Sequence, residues 1–285
     1  NHQYNGELGL IKRVTSIQFQ EQKGTANRPV LSLCRTANGI KAYYLKYART
    51  KNEIEGLVAE LVCFVLARTL RIDTPEHVYG TIGSHVIPEK VIHREHLTEG
   101  TITVGSAKYP RSYVREITKL DFIPSKHVFN RLKDPNQVLR IGIFDWWVGN
   151  YDRKADNYNL FLSTGRLQKL IIFDHFEAFD DIANNPNREI ETEIYSIDRG
   201  FLLSEYAKSM LSYINKTELK IELDTVFSLI NSIDIDEILT SLFESFPTEW
   251  NVKSETITYI NHFLSNTKRL ENVKESLEYY INYYI

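Results

Sequence analysis

Residues 149–157 read GNYDRKADN, and a later apolar run ends on Asp174 in IIFDHF. A carboxylate is costly to remove from water unless a cation or a hydrogen-bond donor meets it. Asp152, Asn157 and Asp174 therefore raise the question of what positive group they hold. An amide oxygen and a carboxylate together suit Mg²⁺, a hard ion that takes oxygen ligands and often only one or two protein carboxylates beside substrate phosphates. Asp152 and Asn157 also have the D-x-x-x-x-N spacing of a phosphotransferase loop, in which the Asp orients or deprotonates the attacking hydroxyl and the Asn holds metal. That spacing alone is common in solvated loops. It gains specificity here from a helical pattern before it and an apolar strand ending in Asp174 after it.

The elements that must position these groups are legible in outline. YNLFLS (158–163) and LQKLIIFD (167–174) read as a hairpin around Gly165-Arg166, and a turn centred there sets Asn157 opposite Asp174. QVLRIGIFDWWVG, from 137, supplies the preceding helix. Further upstream, VLSLC (30–34) and IKAYYLKY (40–47) flank Asn38-Gly39, a strong hairpin signal. A helix follows, with Asn52 and Glu55 as its capping pair and Ile54, Leu57, Val58, Leu61, Val62, Val65 and Leu66 on its apolar stripe. It stops near Leu70, ahead of Asp73-Thr74-Pro75.

A nucleotide site of this kind needs a lysine on a small-lobe strand, paired with a glutamate on the next helix. Lys46 ends the second strand of the first hairpin, and Glu60 interrupts the apolar stripe beside Leu57, Leu61 and Phe64. A solvated Lys46 and a Glu60 reaching past the stripe's edge are the plainer alternatives. Glu53 competes for the partner role, but its place near the helix start is explained by the helix dipole. KGTANRP (23–29) is the one candidate for a phosphate-covering loop, with Gly24 allowing close backbone approach and Thr25 and Asn27 able to donate hydrogen bonds. It lacks the G-x-G-x-x-G and Walker patterns.

The chain has 285 residues, 42% of them hydrophobic, and a net charge of −3. That length allows two lobes, and that charge excludes a nucleic-acid partner held by bulk positive charge. Two cysteines, Cys34 and Cys63, make no disulfide framework, and the longest apolar run, LVCFVLA, is far short of a membrane span. With a polar start, NHQYNGE, the reading is a cytoplasmic protein without a membrane association, and Asn215-Lys216-Thr217 is taken as a chance sequon. Residues 77–130 are expected as short β-like pieces and loops, and 201–285 as several helices. Layer logic makes this an α+β chain in two parts: a β-rich lobe over 1–105 and a mainly helical lobe over 106–285.

Taken together, these segments resemble the HipA-like kinases, in the short form without the extra N-terminal subdomain of full-length HipA toxins. FDWWVGNYDRKADNYNLFL is similar to that family's "D-L-(L/I)-G-N-x-D-R-H-x-x-N-L-L", and LIIFDHFEAF to its "L-x-x-I-D-H-G-x-A-F". AELVCFVLARTLRIDTPE (59–76) resembles the passage ending "GLPVPE", and FPTEW (246–250) the family's "P-x-E-W". The resemblance implies a bilobal protein-kinase-like fold that uses ATP and Mg²⁺. It implies Asp152 as catalytic base, Asn157 and Asp174 as metal ligands, Lys46 as phosphate anchor and Glu60 as its partner. It further implies Ser/Thr phosphorylation of a protein substrate, and for some members a toxin role with an antitoxin or a paired HipA-like protein as partner.

Two positions depart from the pattern: Lys154 stands where the family has His, and Phe176 where it has Gly. Phe176 puts the backbone after Asp174 in question, since Gly permits conformations that Phe does not. These departures keep open a pseudokinase or antitoxin-like module that binds a related kinase. A small-molecule or phosphoinositide-like kinase is a further alternative, because such enzymes share the D-R-x-x-x-N pattern. Asp145 is expected to hydrogen-bond the catalytic-loop backbone and His175 to support the loop. Trp146 and Trp147 are expected in the core, the tail LEYYINYYI packed on the large lobe, and HREH (93–96) as no metal site. Thr25 and Ser32 are candidate autophosphorylation positions.

Overall fold

The computed structural model describes residues 11–25, 27–84, 87–118, 124–154, 156–185, 189–190, 192 and 200–285. It is α+β and bilobal. Strands β1 (Lys12–Gln22), β2 (Val30–Thr36) and β3 (Gly39–Lys46) precede helix α1 (Lys51–Thr69), and β4 (His77–Ile82) and β5 (Ile102–Ala107) complete a five-stranded barrel in the order β1-β2-β3-β5-β4. A parallel β1–β4 pair closes it. Val14, Val30, Tyr43, Leu45 and Val78 fill its interior. The Asn38-Gly39 turn lies where the sequence puts it, with Gly39 at φ +116°. Strand β1 was not apparent from sequence because KRVTSIQFQEQ buries only Val14 and Ser16; its identity comes from its pairing with β2 and β4. Lys46 consequently lies on the third strand rather than the second. β5 spans position 105, the point at which the sequence pattern divides the two lobes.

Helix α1 is capped by Thr50, whose side chain accepts from the Glu53 amide, and not by Asn52. Glu53 in turn accepts from the Arg49 amide at 2.6 Å and from the Arg49 side chain. The cap falls two residues earlier than expected because Arg49 and Thr50 satisfy the first-turn donors and acceptors together.

The second lobe begins with β6 (Val114–Glu116), the short α2 (Lys126–Phe129) and α3 (Gln137–Val148), in which every residue but Arg140 is buried. Strands β7 (Leu160–Ser163) and β8 (Leu170–Ile172) join β6 in a three-stranded sheet, and a single turn, α4 (Ala178–Asp181), follows. Helices α5 (Glu205–Leu211), α6 (Lys216–Ser232), α7 (Ile235–Ser245), α8 (Ser254–Ser265) and α9 (Thr267–Tyr283) complete it. Trp146 and Trp147 are buried in α3, and the tail packs through Val273, Leu277, Tyr280 and Ile281. Asn215 caps α6. No helix among the described residues is long and apolar enough to cross a membrane.

The β7–β8 register differs by one residue from the expected one: Leu160 faces Ile172, and the Phe173 amide bonds the Asn159 carbonyl. Asn157 and Asp174 are therefore not cross-strand partners. The connection is longer than a tight turn, because its ends are held elsewhere: the Thr164 amide bonds the Tyr113 carbonyl, and the Gln168 amide bonds the Arg131 carbonyl.

Candidate active site

Lys46 ends β3, where strand alternation turns Leu45 into the barrel and Lys46 toward α1. Its ammonium donates to Glu60 Oε2 at 2.9 Å and to Asp174 Oδ1 at 2.8 Å. Glu60 is buried on the inner face of α1 and has further donors: the His175 amide at 2.9 Å and His77 Nε2 at 3.3 Å. Glu53 is committed to Arg49 instead. Burial alone would push the Lys46 ammonium down, but the Asp174 and Glu60 carboxylates outweigh it and hold it above the ordinary lysine value. Burial likewise opposes ionisation of Glu60, yet Lys46 and then His77 keep it well below the ordinary carboxylate value. This is a buried charge cluster with each charge met, the condition under which such burial is tolerated.

Asp174 takes a left-handed backbone, φ +61°, a region Asp enters more readily than most residues. Phe176 has no positive φ. The conformation that the Phe176 substitution put in question is thus carried two residues earlier, by a side chain that tolerates it.

Asp152 lies in the loop after α3. Asn157 Nδ2 donates to its Oδ1 at 2.9 Å, and Asn159 Nδ2 to its Oδ2 at 2.9 Å. Backbone bonds between Lys154 and Asn157, 2.9 and 3.0 Å, close the loop on itself. Asn157 spends its amide nitrogen on Asp152, so its Oδ1 is the atom suited to a cation. Partial burial, then the neighbouring carboxylates of Asp152, Asp181 and Asp174, raise Glu177, while Lys154 offsets them.

Sequence reasoning passed over Arg153 and Asn159. Arg153 is wholly buried. It pairs with Asp145 at 2.9 Å and donates to the carbonyls of Tyr158 (2.9 Å), Asn159 and Phe173 (3.4 Å), and to His175 Nε2 (2.9 Å). A guanidinium only donates, so His175 Nε2 accepts and its ring proton sits on Nδ1. Burial and the Arg153 charge keep that ring neutral. Asp145 holds the loop through the side chains of Arg153 and Asn150 rather than through loop backbone, and burial raises its carboxyl to about 6 against the pull of Arg153. The only available signal was Arg following Asp in the loop; most of its acceptors are backbone carbonyls, which every residue has, and Asp145 and His175 reach it only through the fold.

Gly24, Thr25 and Asn27 lie at the tip joining β1 to β2, stabilised by the Lys23–Pro29 and Arg28–Thr25 backbone bonds. Among the described residues no hydrogen bond joins them to the Lys46 cluster. Thr25 is exposed; Ser32 is buried and bonded to Ser16 Oγ at 2.6 Å, so it is not an accessible modification site. His93 and His96 each lie near Glu95 on a short 3₁₀ turn, and no cluster of three metal-ligating side chains occurs among the described residues.

Comparison with known proteins adds an independent line. The family model described as HipA-like kinase matches residues 14–280. Among solved structures, the Helicobacter pylori proinflammatory kinase CtkA shares the fold with a TM-score of 0.57 and 13% identity, covering 95% of this chain and 98% of that one. None of the curated proteins matches this chain.

Proposed function

The chain belongs to the HipA-like kinases, and from that premise we propose that it transfers the γ-phosphoryl of ATP to a Ser or Thr hydroxyl of a protein, with Mg²⁺. The observation that carries this reading is the meeting of Lys46, Glu60 and Asp174 from three separate segments, with the loop that holds the Asp152–Asn157 pair joined to the Asp174 segment by Arg153, which donates to the Phe173 carbonyl and His175 Nε2.

Lys46 donates to phosphate oxygens, and Glu60 holds its ammonium in place. The donor set fits the metal: Asp174 offers a partly exposed carboxylate and Asn157 an amide oxygen, both hard ligands. When bound, Mg²⁺ neutralises phosphate charge. Asp152, its carboxylate plane fixed by two amide donors, accepts the proton of the attacking hydroxyl as the new O–P bond forms and ADP departs. The Gly24–Asn27 tip lies at the end of the β1–β2 hairpin and is assigned to cover phosphates. A protein substrate, an antitoxin or paired HipA-like partner, a growth-arresting toxin role and a cytoplasmic setting extend the same reading.

The test is label transfer from γ-labelled ATP into a proteome, followed by phosphoamino-acid analysis. Asp152→Ala should lower transfer by roughly 10²–10⁴-fold while nucleotide binding persists. Undiminished transfer by that variant would remove Asp152 from the mechanism. Label on a metabolite would favour a small-molecule kinase, and nucleotide binding without turnover a pseudokinase.

A further inference from the structure

Gly56 and Glu60 lie one helical turn apart on α1. The segment after β8 docks along this face twice. The His175 amide donates to Glu60 Oε2 at 2.9 Å, and the Phe176 ring sits where a Gly56 side chain would be. A Cβ built on Gly56 falls 2.5 Å from Phe176 Cε1 and 2.6 Å from Cε2. No real Cβ tolerates such contacts, so ring and glycine form a knob and its notch. The Lys46 ammonium stands 5.9 Å from the same ring's centre. Phe176 is 7% exposed and reads in sequence only as a departure from the family's Gly.

We propose that Phe176 is a positioning residue: seated in the Gly56 notch, it latches segment 174–176 to α1 and so fixes Lys46, Glu60 and Asp174 relative to one another. Its consequence for catalysis rests on the nucleotide-site reading above; the latch itself does not. Asp174 reaches Lys46 from a left-handed backbone that its own strand does not impose. The Phe176 ring on one side and the His175–Glu60 bond on the other hold it there.

The test uses Gly56→Ala, Phe176→Leu and the double variant, each in the full chain. Alanine is the better helix former, so harm from Gly56→Ala reports the collision and not helix propensity. Gly56→Ala should raise the KM for ATP by roughly tenfold or more, with a smaller change in kcat. It should also speed hydrogen exchange at the His175 amide. Leucine is shorter and leaves room for the methyl, so the double variant should recover both readouts to within about threefold of wild type. Unchanged KM and exchange in Gly56→Ala would overturn the latch, as would a defect that Phe176→Leu leaves unrelieved. If the wild type binds no ATP, the nucleotide-site reading fails, while the exchange measurement still decides whether the latch exists.

Discussion

Lys46 is placed between two carboxylates, and the sign of that arrangement can be tested by pH. Glu60 ionises well below its ordinary value of 4.5 because Lys46 and His77 offset its burial. A depressed folded-state pKa stabilises the protein above the unfolded value and is lost as pH falls through the folded one. Thermal unfolding should therefore show Glu60→Gln less stable than wild type near neutrality, with the gap closing below about pH 4.5. A constant gap down to pH 3 would mean that Glu60 is not held ionised by its partners. Lys46, Glu60, Asp152, Asn157 and Asp174 were legible because a charged or amide residue beside an apolar run demands a partner. Arg153 and Asn159 were not, since their neighbours are backbone carbonyls and a carboxylate brought near only by folding.

At the scale of elements, helices were easier to read than strand registers. The α1 stripe is set by helical periodicity, whereas its cap moved to Thr50 because side-chain reach decides among neighbouring candidates. The β7–β8 register slipped by one because the Tyr113 and Arg131 carbonyls hold the loop ends, contacts invisible in a local pattern. The turn that launches the Asp152 loop depends on Gly149, which ends α3 at φ +62° and where an added Cβ would fall 2.7 Å from the Phe263 ring and 2.9 Å from Asp180 Oδ1. Gly149→Ala should destabilise the protein by about 1–2 kcal/mol from the left-handed backbone alone, and more from the contact at 2.7 Å to Phe263. Denaturant titration would measure it; an unchanged midpoint would show that the turn accommodates a side chain.

Across the whole molecule, one apolar core runs from α1 through α3 into α9, while a second fills the barrel. The lobes are also tied across their backs. Trp250, in the FPTEW segment, packs edge-on against Tyr79 at 5.7 Å, Tyr79 bonds Ser245 at 3.1 Å, and Thr256 bonds Glu55 of α1 at 2.8 Å. Sequence marked that segment only by its resemblance; its position under the barrel needed the fold. Trp250→Ala should lose about 3–5 kcal/mol and separate the lobes' unfolding into two transitions by calorimetry. A single transition with little loss would mean that the shared α1 core alone couples them. The α+β, two-lobed order was legible from the run of strands followed by helices, but barrel closure was not, because β1 carries so little apolar pattern. The most direct test of the nucleotide site is the thermal shift with ATP, with and without Mg²⁺, in wild type and Asp174→Asn. A ligand bound only by the folded state stabilises by about 2.7 kcal/mol at a hundredfold excess over its Kd. The site described here predicts a Mg²⁺-dependent upward shift in wild type that Asp174→Asn loses. No shift at millimolar nucleotide, or an equal shift in the variant, would contradict it.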